Sequence, residues 1–266
     1  MKRSFLSLAV LAAGIASPGA QALESYSNYD RFTAAPIDAS RWTTFERTRQ
    51  IKGQALNHVH REWGQPGSDS GGTSVNFSTN LANPGLITQL KGTIRVNAVE
   101  VTNCATNAGF NGSINARMIG SFFNTGTPVN GSQVGDMLAQ VNLARAANST
   151  DAPGVLQVQG SVLVCQNSDC SQVSIVGNFN GLGTANLGQD VALKLEWDKA
   201  AKTFTAVRDG SITSVVTYTQ SDRAGPGNPF KNLSTRASLA NCTGTRPVGN
   251  IDASFDSIAV NRSAAP

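Results

Sequence analysis

Short segments in which apolar and polar residues alternate recur along most of this 266-residue chain. The clearest is Val191–Asp198, where the odd-numbered positions carry Val, Leu, Leu and Trp, and positions 194, 196 and 198 carry Lys, Glu and Asp. Successive side chains of a strand point to opposite faces, so this pattern predicts a strand with one buried face and one solvated face.

Twelve segments are predicted as strands, and Gly, Asn, Pro or Asp occupies nearly every gap between them. The predicted strands are residues 54–61, 73–78, 86–102, 113–123, 137–144, 156–165, 172–178, 191–198, 203–208, 214–219, 235–240 and 252–260. Only 14% of the residues are charged, which favours strands joined by tight turns over surface helices. The sequence therefore predicts an all-β fold with little helix, a two-sheet antiparallel jelly-roll sandwich.

The first residues have the layout of a secretory signal peptide. Lys2 and Arg3 precede an apolar run over 5–16, and Ala20 and Ala22 supply the small residues that a signal peptidase reads. We therefore predict a cleaved signal peptide over 1–22, a single β-sandwich domain over 23–266, and export to the periplasm or the medium. No later segment is apolar over the length of a transmembrane helix, so no membrane span is predicted in the mature protein.

Charge argues against a nucleic-acid partner. The chain has 21 basic and 17 acidic residues, and removal of Lys2 and Arg3 leaves 19 − 17, a net charge of +2. The remaining basic residues are spread singly rather than along a stripe, so nucleic acid is not a predicted partner.

The four cysteines are predicted to form disulfides, since an exported chain meets an oxidising environment. Three pairings are possible. Cys165 and Cys170 flank a polar turn between two predicted strands, so a hairpin would bring their sulfurs together and leave Cys104 to pair with Cys242. The alternative is a zinc site, for which Cys-x4-Cys with distant histidines is a poor spacing.

Several short motifs, taken in order, resemble a known superfamily. They are Tyr29-Asp30-x-Phe32, Ile37-Asp38-x-Ser40-Arg41-Trp42, Leu193-x-Leu195-x-Trp197-Asp198 with Phe204 and Asp209-Gly210, and a final Ala253-Ser254-Phe255-Asp256-Ser257-Ile258-Ala259-Val260. Together they resemble secreted members of the concanavalin A-like lectin and glucanase superfamily. The resemblance implies two antiparallel sheets, adjacent first and last strands, and a concave face on which relatives bind or cleave glycans.

Five residues are candidates for binding a glycan. His58 and His60 share one face of a strand, where they could hold a metal ion, stack beside a sugar, or be satisfied by their neighbours. Trp63 is the candidate aromatic platform, with Glu100 and Arg117 as polar partners. Trp42 and Trp197 are predicted to be core residues.

No sequence motif gives strong support for catalysis. The chain lacks the Glu-x-Asp-x-x-Glu run of the superfamily's glucanases, and Glu62 with Glu100 is the alternative carboxylate pair. Asp69-Ser70-Gly71-Gly72 resembles a serine-protease turn, but His58 and His60 lack the setting of a catalytic base.

We therefore expect an exported, non-catalytic sandwich that binds a carbohydrate, or another envelope or extracellular ligand, on its concave face. The first alternative is a glycan-active hydrolase or lyase with an atypical carboxylate arrangement. The second is a structural or adhesive module.

A structural calcium ion is the single cofactor that the sequence suggests. Asp30 and Asp256 would approach each other if the terminal strands are neighbours, and carboxylates with backbone carbonyls suit this cation. The alternative is that both aspartates cap turns.

Overall fold

The computed structural model describes residues 46–265. The predicted signal peptide over 1–22 and the opening segment over 23–45, with Asp30 and Trp42, lie outside the described residues. No helix within 46–265 has the length and apolarity needed to cross a membrane.

The described chain forms fourteen strands and two short 3-10 helices, at Pro84–Leu86 and Arg262–Ala264. The strands are β1 (Glu46–Lys52), β2 (Ala55–Trp63), β3 (Gly72–Asn80), β4 (Gln89–Val101), β5 (Ser113–Asn124), β6 (Asp136–Ala146), β7 (Val155–Cys165), β8 (Val173–Phe179), β9 (Thr184–Asn186), β10 (Val191–Asp198), β11 (Thr203–Arg208), β12 (Ile212–Thr217), β13 (Lys231–Ala240) and β14 (Val248–Val260). All twelve predicted strands are present, and β10 and β11 have the predicted bounds.

The strands pair in two antiparallel sheets of seven. The first sheet has the order β1-β2-β14-β4-β10-β11-β12. The second has the order β3-β13-β5-β6-β7-β8, and β9 pairs with β7. The last strand, β14, lies between β2 and β4, so among the described strands the first, β1, is separated from the last by β2 and the two are not adjacent as expected. The all-β sandwich prediction is confirmed.

The inner faces of the two sheets enclose one large hydrophobic core. Val191, Leu193 and Leu195, which share a face of β10, are each at most 2% exposed. Rings from both sheets meet in the same core, where the ring centroids of Phe123 and Trp197 lie 5.2 Å apart. The predicted inward face of β10 is therefore buried against the second sheet.

Two strands, β1 and β9, were not predicted. A tight turn joins β1 to β2, and its two central residues, Gly53 and Gln54, both have positive φ angles, of 58° and 66°. Two consecutive positive φ angles fit a two-residue hairpin turn, whose twist matches that of the strands it joins.

Both predicted disulfides are confirmed. Cys165 and Cys170 close the turn between β7 and β8, with 4.8 Å between their Cα atoms. Cys104 and Cys242 are joined across 138 residues, with 5.8 Å between their Cα atoms. The pairing places all four cysteines in disulfides, so the zinc alternative is wrong.

Candidate functional site

The five predicted ligand-binding residues lie on three different surfaces of the sandwich. His58 and His60 point into its interior, where both are fully buried. Trp63 and Glu100 belong to the outer face of the first sheet, and Arg117 to the outer face of the second. The structure therefore does not bring the five together.

The His58 ring packs between Phe77 and Phe255, with centroid distances of 4.8 and 5.3 Å. Its Nε2 lies 2.8 Å from the hydroxyl of Thr79, on the second sheet. Burial, with smaller contributions from the charges of Arg49 and His60, lowers the pKa of His58 to about 4. His58 is thus a neutral interior residue at physiological pH.

His60 lies in the same interior row. Its Nδ1 is 3.1 Å from the Thr235 hydroxyl, and its Nε2 is 3.3 Å from Oε2 of Glu62. Arg47 donates to the same Glu62 oxygen at 2.7 Å. Both ring nitrogens of His60 therefore have protein partners, whereas Nδ1 of His58 is buried without one. The alternative that neighbours satisfy the histidines thus holds for His60 and only for Nε2 of His58.

Trp63 ends β2 as a half-buried residue, and the guanidinium of Arg246 lies 5.9 Å from its ring centroid. Glu100 is exposed and accepts a 3.0 Å hydrogen bond from the Asn250 side chain. Glu62 points into the interior, whereas Glu100 lies on the outer face of the same sheet. These two carboxylates therefore do not form the catalytic pair considered above.

Arg117 is the one predicted residue that belongs to a continuous polar surface. It is 6% exposed, although no strand covers it. Its Nε donates to Ser234, its Nη1 to Gln140 and its Nη2 to Asn76, at 3.0, 2.8 and 2.7 Å. One side chain therefore links strands β3, β13, β5 and β6 across the outer face of the second sheet.

The surroundings of Arg117 are rich in amide side chains at the outward positions of these strands and of β7 and β8. We call this surface the polar face; it comprises Asn76, Asn115, Arg117, Gln140, Asn142, Gln159, Ser161, Asn178, Asn232, Ser234 and Arg236. Part of it forms a groove of about 340 Å³, lined by Gln140, Asn142, Gln159, Ser161 and Asn178. The groove gives the polar face room for a small ligand group.

Several polar atoms of this face are buried without a hydrogen-bond partner. They are the side-chain oxygens of Asn115, Asn142 and Asn232, and Nε of Arg236. Asn142 is only 4% exposed. Three further atoms of this kind lie elsewhere in the described chain, namely Nδ1 of His58, Oε1 of Glu62 and Oδ1 of Asn250. Buried polar groups in folded proteins almost always have partners, so the four atoms of the polar face are available for further hydrogen bonds.

An apolar border lies beside the polar face. It is formed by Ile119, Leu138 and the Cys165–Cys170 disulfide, with Leu163 and Phe230 packed against them. Gln140 and Asn232 flank Ile119 on the neighbouring strands, so the border is continuous with the polar face. Polar side chains and an aromatic ring therefore share one surface.

The polar face also holds two positive charges. Burial, with a smaller contribution from the charge of Arg236, lowers the pKa of Arg117 to about 9. Burial also lowers the pKa of Arg236. Because Arg117 pairs with Ser234, Arg236 is its diagonal neighbour on β13, and like charges at this separation repel.

The calcium prediction is only half within the described residues. Asp256 is exposed at an irregularity of β14 and accepts a 2.5 Å hydrogen bond from the backbone N–H of Ser257. Its predicted partner Asp30 lies outside the described residues, so calcium remains a prediction. Within 46–265, one group of three potential ligand residues lies close together, Asp69 with Cys104 and Cys242, but the two sulfurs are bonded to each other.

Asp69 stabilises its own loop instead. Its oxygens accept hydrogen bonds from the hydroxyls of Thr106 and Thr243 and from the backbone N–H of Thr243. These hydrogen bonds, chiefly those from Thr243, lower the pKa of Asp69. Ser70 beside it contacts Ser68, and both histidines lie in the interior, so the protease-like tetrapeptide is a structural loop.

Sequence reasoning missed the amides of the polar face. The signal was present in alternating strands whose polar positions hold amides rather than charges. In Val141-Asn142-Leu143 and Val158-Gln159-Gly160, an amide stands between inward-facing residues. Such positions normally carry charged or hydroxyl residues on a plain solvated face, so a run of amides could have marked this surface.

No family model and no curated protein matches the chain. The two antiparallel seven-stranded sheets show an all-β sandwich.

Solved structures with a similar chain path are distant in sequence. The carbohydrate-binding module CBM66 from Bacillus subtilis is 10% identical, with 81% of this chain and 92% of that chain covered and a TM-score of 0.33. The exoplasmic domain of VIP36, in its Ca²⁺/Man3GlcNAc-bound form, is 9% identical, with 82% and 84% covered and a TM-score of 0.37. The alginate lyase from Klebsiella pneumoniae is 10% identical, with 85% and 88% covered and a TM-score of 0.39.

Proposed function

We propose that this protein binds a carbohydrate, without catalysis, on the polar face of the second sheet. The observation that carries the proposal is the set of three buried amide oxygens, of Asn115, Asn142 and Asn232, that have no hydrogen-bond partner. Sugar hydroxyls are donors as well as acceptors, so they can satisfy such oxygens. A site built around unpaired polar groups discriminates strongly in favour of a ligand that pairs them.

The geometry of the surface suits a glycan in two further respects. The groove beside Gln140 and Asn142 presents several amides and the Ser161 hydroxyl from three strands, β6, β7 and β8, whose positions the sheet fixes. Phe230 on the apolar border offers an aromatic surface, to which the apolar side of a sugar ring can pack. Polar groups in fixed positions next to a ring are the usual elements of a small-molecule site.

Binding is favoured over hydrolysis by the distribution of carboxylates. Within the described chain, the strands of the second sheet contain one acidic residue, Asp136. It is fully buried, and its oxygens accept hydrogen bonds from Asn124 and from the backbone of Gly227 and Asn228. Glycosidases that use two carboxylates need both beside the scissile bond, and the polar face does not supply them.

The test is a glycan array probed with the full chain, followed by calorimetry on the best ligand. Asn142→Ala should weaken binding at least tenfold, because it removes an amide that the proposed site uses. The matched control is Asn97→Ala, which removes an exposed asparagine from the outer face of the first sheet. Absence of binding to every glycan, or an equal effect of the two substitutions, would refute the proposal.

A further inference from the structure

Two arginines on the polar face lack acidic partners. Arg117 and Arg236 are diagonal neighbours on β5 and β13, and both are substantially buried. Every hydrogen bond that Arg117 donates goes to a neutral group, a hydroxyl or an amide oxygen. Two buried cations therefore share a surface on which their hydrogen bonds supply no negative charge.

Arg236 is the one of the two that is open to a ligand. It lies half-buried on β13, where its Nη2 donates to the Ser74 hydroxyl at 2.9 Å. Its Nε–H is buried without any partner. A guanidinium has five N–H donors in a planar fork that matches carboxylate and sulfate oxygens, so Arg236 retains capacity for an anion.

The free-energy cost of burying Arg117 and Arg236 indicates what kind of ligand group would stabilise them. Removing a cation from water is costly unless an opposite charge and hydrogen bonds compensate. On the first sheet, Arg95 has such compensation in its 2.5 Å pair with Asp190. On the polar face, an anionic ligand group would offset the cost for both guanidiniums together.

We infer that the ligand of the polar face is an acidic glycan, whose carboxylate or sulfate is bound by Arg236 with the charge of Arg117 behind it. This inference rests on the proposed function and specifies its ligand class. Arg117 already donates from Nε and both terminal nitrogens to protein, so its contribution is the field of a fixed charge. Arg236 supplies the direct, charge-assisted hydrogen bonds.

The decisive experiment compares acidic glycans with neutral forms of the same chains. The full chain is titrated with oligosaccharides of alginate, polygalacturonate and hyaluronan, each beside its carboxyl-reduced form, and with dextran sulfate beside dextran. We expect binding to at least one acidic member, a loss of at least tenfold for its neutral counterpart, and weaker binding as salt is raised. The uronate and sulfate arms distinguish which anionic group is recognised.

Three outcomes are distinguishable. Preference for an acidic member supports the inference. Equal binding of acidic and neutral members would overturn the inference and leave carbohydrate binding intact. Absence of binding to these and to every arrayed glycan would overturn the proposed function, and the inference with it.

Substitutions of Arg236 test whether this residue binds the anionic group of the ligand. Arg236→Gln should weaken binding of the acidic ligand about tenfold, whereas Arg236→Lys, which keeps the charge, should lose less. The control is Arg95→Gln, which removes an exposed arginine from the first sheet and should leave affinity unchanged. Thermal melting of each variant establishes that it is folded. An Arg236→Gln protein that melts normally and binds as tightly as the wild type would contradict the assignment.

Discussion

The two outer faces of the sandwich differ in whether their charged side chains have partners of opposite charge. On the first sheet, Lys194 lies 2.7 Å from Glu196, and Arg95 lies 2.5 Å from Asp190. The other ion pairs between described residues also involve this sheet or turns that flank it, although Glu62, which pairs with His60 and Arg47, points into the interior. On the second sheet, Arg117 and Arg236 donate only to hydroxyls and amides.

The two faces also differ in the number of buried polar atoms that lack a hydrogen-bond partner. The first-sheet face has one such atom, Oδ1 of Asn250, and it pairs Lys194 and Arg95 with carboxylates. The polar face keeps amide oxygens and a guanidinium N–H buried and unpaired, which lowers the stability of the unliganded protein. Stability given up in this way on one surface is typical of a binding site.

The two disulfides should differ widely in what they contribute to stability. Replacing Cys104 and Cys242 by serine should lower the free energy of unfolding by about 5 kcal/mol, because their bond closes a loop of 138 residues. Replacing Cys165 and Cys170 should cost about 2 kcal/mol, since that loop is short. Urea denaturation of both variants measures the difference.

Affinity should rank the same two variants in the opposite order. The Cys165–Cys170 bond belongs to the apolar border of the polar face, whereas Cys104 and Cys242 pack with Ala240 and Phe110 in a separate cluster. Glycan affinity should therefore fall when Cys165 and Cys170 are replaced, and persist when Cys104 and Cys242 are replaced, measured below the melting temperature of each variant. The reverse order would place the ligand elsewhere.

The pH dependence of stability tests whether His58 is an interior residue rather than part of the binding face. The folded-state pKa of His58 is about 4 against an ordinary 6.5, so below pH 6.5 the unfolded chain binds a proton that the folded chain does not. Stability is therefore lost as pH falls from about 6.5 to about 4. His58→Gln should flatten this part of the dependence, measured by urea midpoints from pH 4 to 7.

Affinity supplies the second measurement on the same variant. His58 is enclosed by Phe77, Phe255 and Thr79, so His58→Gln should not change glycan affinity at pH 7. The carboxylates that also titrate below pH 6.5 are common to both proteins, and they cancel in the comparison. Parallel pH curves, or a large loss of affinity, would contradict the interior role.

The smallest expected effect is the change in the free energy of unfolding when an unpaired amide of the polar face is replaced. Asn142→Leu should raise the free energy of unfolding by about 1 kcal/mol, because it removes a buried oxygen without a partner. The same change at Asn97 should lower it slightly, since that amide donates to Asp252 and Ser254. Thermal or urea unfolding of both variants decides; a loss of stability at Asn142 would show that its amide is satisfied in the free protein.

Much of the fold was readable from the sequence because inward positions of most strands are apolar. The alternation in β10 and β11 gave their bounds without error. The missed strands lack this signal: β1 reads Glu-Arg-Thr-Arg-Gln-Ile-Lys and is exposed over most of its length, and β9 has three residues. Their pairing depends on neighbours rather than on their own composition.

The site was less readable because alternation separates two sets of side chains without saying which set is inside. In β2, one set is Leu56, His58, His60 and Glu62, and the other is Asn57, Val59, Arg61 and Trp63. Neither set is clearly more apolar. Packing against Phe77 and Thr235 of the second sheet decides that the histidines face inward, and these contacts are not visible in β2 itself.

The central position of β14 has a consequence for how the chain reaches its native state. Asn57 donates to Asp252, 195 residues later in sequence, and β14 separates β2 from β4 throughout the first sheet. Until β14 has been synthesised, β2 and β4 have no strand between them, and the first sheet therefore cannot form completely. Such long-range pairing makes folding slow and leaves apolar strands uncovered until residue 260 is available, a period in which a chaperone would be most useful.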